Sequence, residues 1–275
     1  MREVIAHHGL GARKALGQHF LLDLNLTRRI VRAAGDLAGV DVVEVGPGPG
    51  GLTRALLETP ARRVVAIERD RRCLAALEDL AAAYPGRLVV VAADALTVDP
   101  AQLTRPPRHI VANLPYNIAT ALLIGWLAQI RAYAGLTLMF QKEVAARLVA
   151  APGGKEYGRL SVLAQWLCEV RPLFEVSAQA FTPPPRVTSA VVGLTPRTAP
   201  LCPADRRALE RVTAAAFGQR RKMLRTSLKG LGVDTAALIA DADVAPTARA
   251  EELSVAEFCA LARALAALSG LDATG

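Results

Sequence analysis

Val42-Val43-Glu44-Val45-Gly46-Pro47-Gly48-Pro49-Gly50-Gly51 is a β-branched run that stops at a glycine-rich turn and gives way, from Leu52, to apolar residues at helical spacing. Missing side chains in such a turn let a ligand approach both the backbone and the helix N-terminus. The same alternation extends outward. Apolar runs at residues 64–67, 88–91, 109–112 and 136–140 alternate with helix-compatible patterns at 52–57, 73–83 and 118–127. Strands alternating with helices form βαβ units with right-handed crossovers. The sequence therefore predicts an α/β fold with an open, doubly wound, Rossmann-like sheet. Ligands of such a sheet sit beyond the carboxyl ends of the strands, so the residues after each run are the ones to inspect.

The rest of the 275 residues sets the context. Hydrophobic residues at 52% and charged residues at 21% exclude disorder for most of the chain. Thirty-three basic against 25 acidic side chains leave a net charge of +8, which suits a polyanionic partner such as nucleic acid. Cys73, Cys168, Cys202 and Cys259 lie far apart with no C-x-x-C pair, so reduced thiols and no metal are expected. The longest nearly apolar stretch, residues 118–130, is too short for the ~20 residues that cross a bilayer. No signal-peptide core is visible, and a cytoplasmic protein without a membrane partner is expected. Residues 25–35 read as a helix behind a basic segment containing Arg13 and Lys14. Pro183-Pro184-Pro185 breaks helical continuity before a strand at 188–194, and from Pro203 the chain turns alanine- and leucine-rich. The expected division is an N-terminal α/β domain, residues 1–198, and a small all-helical C-terminal domain, residues 199–275.

Chemistry concentrates at the predicted strand ends. Glu68 follows the second run and can accept both hydroxyls of a ribose, because an ionised carboxylate offers several lone pairs. Gly46, Gly48 and Gly51, with Glu68 standing 22 residues after Gly46, also satisfy a dinucleotide fingerprint, so a nicotinamide dehydrogenase is one reading. A tight turn without any ligand is another. Asp94 follows the third run, where it either caps a helix or accepts from the amine of an adenine. Asn113-Leu114-Pro115-Tyr116 follows the fourth run. An adenine exocyclic nitrogen is a poor nucleophile because its lone pair is delocalised into the ring. The Asn113 amide oxygen and the Leu114 carbonyl would draw that amine towards tetrahedral geometry, Pro115 would stiffen the turn, and Tyr116 would stack on the base. A methyl sulfonium donor, S-adenosylmethionine, needs alignment with the amine more than activation. A helix cap with a buried tyrosine is the plain alternative. The nicotinamide reading leaves residues 113–116 without a use and shows no acid or base for a hydride site.

These motifs are ordered along the chain. Together with Leu16-Gly17-Gln18-His19-Phe20-Leu21, Gln141-Lys142-Glu143-Val144, Tyr157-Gly158-Arg159-Leu160-Ser161-Val162 and Phe181-Thr182-Pro183-Pro184-Pro185-Arg186-Val187, they cover roughly residues 12–260. Across that length the chain resembles the small-subunit ribosomal RNA adenine dimethyltransferases. The resemblance implies a class I methyltransferase sheet and S-adenosylmethionine contacts at His19, Leu21, Gly46, Glu68, Asp94 and Asn113, with Gly48 in the same turn. It implies two methylations on each of two adjacent adenosines in a hairpin near the 3′ end of small-subunit (16S) rRNA, in an assembling 30S-type subunit, by a monomer. At His19 the chain departs from the family, which more often has asparagine there; an imidazole still donates or accepts one hydrogen bond as an amide does.

Phe181, ahead of the three prolines, is expected to sandwich the target base opposite Tyr116, with a core phenylalanine as the alternative. Residues 217–229 read as a helix whose Arg221, Arg225 and Lys229 recur along one face, joined by Arg220 and Lys222, while Phe217, Leu224 and Leu228 anchor another face. Such a ridge suits phosphate contact, and a solvated charged face is its bland counterpart. Two further readings stand beside the first: a large-subunit rRNA adenine methylase of the antibiotic-resistance type, and a noncatalytic assembly or nucleic-acid-binding factor.

Overall fold

The computed structural model describes residues 1–11 and 18–270; Arg13 and Lys14 lie outside them. Chain order is α1 (Arg2–His7), β1 (Phe20–Leu21), α2 (Leu24–Ala33), β2 (Asp41–Val45), α3 (Gly51–Leu57), β3 (Arg63–Glu68), α4 (Arg71–Ala83) and β4 (Leu88–Ala92). Next come α5 (Pro100–Leu103), β5 (Arg108–Asn113), α6 (Ala119–Ala128), β6 (Gly135–Gln141), α7 (Lys142–Val149), α8 (Arg159–Leu167), β7 (Cys168–Val176), β8 (Phe181–Thr182) and β9 (Ser189–Pro196). The last elements are α9 (Arg206–Gly218), α10 (Leu224–Ser227), α11 (Thr235–Asp241) and α12 (Val255–Leu268).

The main sheet has the order β4-β3-β2-β5-β6-β9-β7, and β1 pairs with β8 in a separate two-stranded ribbon. Strands β4, β3, β2, β5 and β6 are parallel, and β9 runs antiparallel beside β6. All five runs expected as parallel strands are present, because a strand covered on both faces must be apolar throughout: every residue of β2 is buried. The chain order reverses between β2 and β5, which makes the carboxyl ends of these two strands the crevice of the fold. The β7 strand was not expected. Its charged residues and Pro172 hide the pattern, and both are tolerated because it closes the sheet as an edge strand. Acidic caps start the helices that frame the crevice: Asp23 accepts from the Asn25 and Leu26 amides at α2, and Asp70 from the Arg72 amide at α4.

The chain divides into two compact units at places other than residue 198. The first comprises Met1–Ala145 and Arg171–Pro196, the second Ala146–Val170 and Arg197–Gly275. The internal segment joins the second unit because Tyr157, Val162 and Trp166 are buried with Leu209, Val212, Phe258 and Leu261 in one core. Phe217 stacks on Phe258 at 5.4 Å between ring centroids, and the Trp166 indole donates to the Cys202 carbonyl at 2.8 Å. The core of the first unit lies around Val42, Leu56, Val64, Val111 and Val191.

The helix expected over 217–229 is broken. Helix α9 ends at Gly218, residues 219–223 turn, and Met223 bridges to Arg249 while the Leu224 amide donates to the Ala248 carbonyl at 2.8 Å. Pairing with 246–249 takes the backbone groups that a continuous helix would have used internally. The four cysteines are free; Cys73, Cys168 and Cys259 are buried, and burial pushes each thiol up to about 12. Among the described residues, no helix is long and apolar enough to cross a membrane, and no group of three or more His, Cys, Asp or Glu side chains is placed to hold a metal ion.

Candidate functional site

A cleft of about 870 Å³, counting the space open to solvent, lies at the carboxyl ends of β2, β3, β4 and β5. Gly46, Gly48, Glu68, Asp94, Asn113 and Tyr116 all line it, so one crevice collects residues separated by up to 70 positions. The glycine turn is dictated twice over. Gly46 has φ +68 and Gly48 φ +55, in the left-handed region. A Cβ on Gly46 would come within 3.3 Å of the Pro115 ring, and one on Gly48 within 3.0 Å of the Phe20 ring. The sequence suggested only ligand approach; the structure adds that Phe20 and Pro115 press on this turn. Leu21 is buried in β1 and does not line the cleft; its carbonyl oxygen lies where a Cβ on Gly51 would be.

Glu68 closes β3 and is 5% exposed. Its Oε1 accepts from the Arg69 and Asp70 amides at 2.9 and 2.8 Å, and its Oε2 from the Gly48 amide at 3.0 Å. Oε2 thus keeps one lone pair for a further donor, such as one hydroxyl of a ribose diol. Burial raises its pKa above the ordinary carboxylate value, against those three backbone donors and with the Asp70 charge adding to the rise. Beneath it Glu44 is buried, accepts from the Thr53 hydroxyl at 2.6 Å, and is pushed up to about 8 by burial and by the nearby Glu68. Asp94 closes a turn rather than capping a helix. Its Oδ1 accepts from the Leu96 amide at 3.0 Å, capping a local turn, while the residue lines the cleft. Its Oδ2 is held by Arg69 at 2.9 Å. Arg69 was missed, though its place directly after a strand-end acid puts it on the same rim.

Asn113 is the last residue of β5. Its Nδ2 donates to the His19 carbonyl at 3.3 Å, which fixes the amide and leaves Oδ1 as the available acceptor. Leu114 is 2% exposed, and the Pro115 carbonyl accepts from the Ile118 amide at 3.1 Å, tightening the turn. The Tyr116 hydroxyl is 2.6 Å from Ser189 Oγ; burial raises its pKa, opposed by this bond, so the phenol stays neutral. The His19 ring stacks on Tyr116 at 5.6 Å and 30°, and its Nδ1 lies 2.8 Å from the Pro183 carbonyl. Phe181 is elsewhere than expected. It is 2% exposed in β8, belongs to the core of the first unit and does not line the cleft. Pairing of Phe181 with Leu21 in the β1–β8 ribbon turns its ring inward.

The basic set separates. Arg220 is a clasp: its guanidinium bonds Glu251 at 2.6 Å and the Tyr157 and Gly154 carbonyls at 2.8 and 3.1 Å. Arg221, Lys222, Arg225 and Lys229 are exposed, but on a turn and two short helical segments rather than one ridge.

The model for the family described as "Ribosomal RNA adenine dimethylase" matches residues 9–267. A "Ribosomal RNA small subunit methyltransferase A" from Paramagnetospirillum magneticum is 66% identical over 96% of this chain and 94% of its own length. The protein of that name from Rhodospirillum rubrum is 62% identical over 96% and 92%. Among solved structures, a dimethyladenosine transferase from Plasmodium falciparum superposes with a TM-score of 0.77 at 24% identity, covering 88% of this chain and 96% of that one. The 23S rRNA methyltransferase ErmE gives a TM-score of 0.68 at 28% identity, covering 90% and 99%.

Proposed function

This chain belongs to the ribosomal RNA adenine dimethylase family, and from that premise we propose that it transfers methyl groups from S-adenosylmethionine to N6 of two adjacent adenosines in the 3′-terminal hairpin of small-subunit rRNA. It is an rRNA adenine dimethyltransferase, and its substrate is RNA. It acts as a monomer in the cytoplasm, on a small subunit still being assembled. The observation that carries the reading is the position of residues 113–116: an amide oxygen and a carbonyl stand at the end of β5, across one cleft from the glycine turn and Glu68.

The residues present fit the donor. Glycines in the left-handed region leave room for a close approach, Glu68 keeps a lone pair for a ribose hydroxyl, and Asp94 stands at the neighbouring strand end for an adenine amine. When bound, S-adenosylmethionine supplies a methyl group on a positively charged sulfur, an electrophile that needs no further activation. Asn113 Oδ1 and the Leu114 carbonyl accept from the target amine and localise its lone pair on nitrogen. Tyr116 stacks on the base, and Ser189 holds the phenol so that the ring keeps its plane. Exposed Arg221, Lys222, Arg225 and Lys229 meet RNA phosphates from the second unit, which adds affinity without reading sequence.

The test is incubation with labelled S-adenosylmethionine and undermethylated small subunits, followed by digestion and mass spectrometry of the RNA. Dimethyladenosine at two adjacent positions near the 3′ end is expected. Label in large-subunit RNA instead would transfer the assignment to the other ribosomal substrate, and an unlabelled RNA would end it.

A further inference from the structure

Six arginines stand at the amino end of the parallel sheet, away from the cleft: Arg62 and Arg63 where β3 starts, Arg87 before β4, Arg105 and Arg108 around the start of β5, and Arg131 ahead of β6. None of them lines the cleft. Bonds between these turns gather them at one pole. Arg62 Nη2 donates to the Arg105 carbonyl at 2.9 Å, Arg63 Nη2 to the Leu103 carbonyl at 2.9 Å, Arg108 Nη1 to the Ala132 carbonyl at 3.2 Å, and Arg87 Nη2 to the Thr59 carbonyl at 2.8 Å. Little acid offsets them. Asp41 pairs with Arg62 and Arg63 from a fully buried position, and Asp99 accepts from the Ala101 amide and Gln129. Among the described residues, no carboxylate pairs with Arg87, Arg105, Arg108 or Arg131, and the exposed Arg105 and Arg131 side chains make no bond to protein.

A guanidinium tied to a carbonyl keeps its whole charge, because the carbonyl is neutral, and gives up its side-chain freedom before any ligand arrives. Planar, uncompensated groups held in this way suit phosphate oxygens. An anionic membrane surface would call for large apolar side chains among the charges. Tyr84 and Val89 are exposed near Arg87, but none of the exposed large hydrophobic residues falls within 58–63, 99–109 or 129–134. We propose that this pole binds the phosphate backbone of a second RNA segment of the small subunit, apart from the hairpin that enters the cleft. Strands of five and six residues set the pole roughly 17–20 Å from the cleft, so the two segments straddle the first unit. The contact rests on the function proposed above. It adds affinity and register, and it leaves the choice of adenosine to the cleft.

The test uses the full chain, undermethylated small subunits, and the two arginines that make no bond to protein. Hydroxyl-radical footprinting at saturating wild type should show two protected stretches of RNA, the 3′-terminal hairpin and a second one. Arg105→Ala/Arg131→Ala should lose the second stretch and keep the hairpin. Its slope of log affinity for subunits against log salt should be lower by about 2, and its KM for subunits higher by about tenfold. Arg105→Lys/Arg131→Lys should restore slope and footprint, since the charge returns. Calorimetric affinity for S-adenosylmethionine and the melting temperature should hold in both variants. Protection of the hairpin alone by wild type would overturn the proposal, as would an unchanged slope and footprint in the alanine variant. Joint loss of both stretches, or a melting temperature that fell with the affinity, would overturn it too, by making the pair part of the hairpin contact or of the fold. So would a loss confined to binding of phosphatidylserine vesicles, which would assign the pole to a membrane. Wild type that methylates no subunit refutes instead the function proposed above, while the footprint still reads the pole.

Discussion

The two ends of the parallel sheet carry similar residue types in opposite states. At the amino end, Asp41 is fully buried and accepts from Arg62 Nε at 2.6 Å, Arg63 Nε at 3.0 Å and the Arg105 amide at 2.7 Å. Arg62 Nη2 also donates to the Arg105 and Pro106 carbonyls, and Arg63 Nη2 to the Leu103 carbonyl. Hydrogen bonds from these partners hold the Asp41 pKa below the ordinary value although burial, the largest influence, works against them. At the carboxyl end, Glu68 keeps one lone pair on Oε2, and Asn113 gives an amide hydrogen to the His19 carbonyl and keeps its oxygen. Both carboxylates accept three protein hydrogen bonds, but Asp41 is neutralised by two guanidinium groups and fully buried, whereas Glu68 is held by backbone amides alone and, like Asn113, lines the cleft, where the acceptor it has left is available to a ligand.

Substitutions at the two ends should separate stability from turnover. Asp41→Ala strands two arginines at the amino end and should cost about 3–5 kcal/mol of stability in urea unfolding, with turnover per folded molecule unchanged. If turnover fell instead, the two ends would not be separable. Asn113→Ala removes the unspent oxygen and should lower turnover about 10²–10³-fold while cofactor affinity and melting temperature hold; a melting temperature that dropped as well would make Asn113 a structural residue.

Glu44 tests the carboxyl end from beneath. Its folded pKa of about 8 lies above the unfolded value, so the folded state binds the extra proton between those two pH values. Stability must then fall as pH rises from about 5 to 8, by at most about 1.4 kcal/mol per unit for this group. Glu44→Gln still accepts from Thr53 and should flatten the decline in melting temperature across that range. The slope that persists reports Glu68, whose pKa is raised in the same direction. The smallest effect concerns the second unit. Removing exposed Arg225 and Lys229 together should lower the slope of log affinity for RNA against log salt by about 2, without changing the melting temperature. Arg220→Ala, which breaks the clasp to Glu251, should do the reverse: a lower melting temperature with little change in slope.

Much of this molecule was readable beforehand, for identifiable reasons. The strands around β2 are buried on both faces, and such strands must be apolar without interruption, so their runs stand out. Gly46, Glu68, Asp94 and Asn113 follow those runs directly, and a strand end needs no tertiary information to be located. The edge strand β7 escaped notice because an edge tolerates Pro172 and charges. The helix over 217–229 was misjudged because its periodicity is real, yet backbone pairing with residues 246–249 outcompetes it. The inclusion of Ala146–Val170 in the second unit was equally hidden, since Tyr157 and Trp166 find their core among residues about 40 to 110 positions away.

Periodicity and glycine placement, properties of neighbouring residues, determined the sheet, its ligand-bearing end and the turn that receives the donor. Which acceptors stay unspent, which arginine becomes a clasp, and which ring faces Tyr116 were decided only by the folded chain. His19, Tyr116, Phe181 and Pro183 meet across as many as 164 positions. Hydrogen-bond saturation and ring contact are short-ranged in space, and local sequence carries no record of which distant partner will arrive.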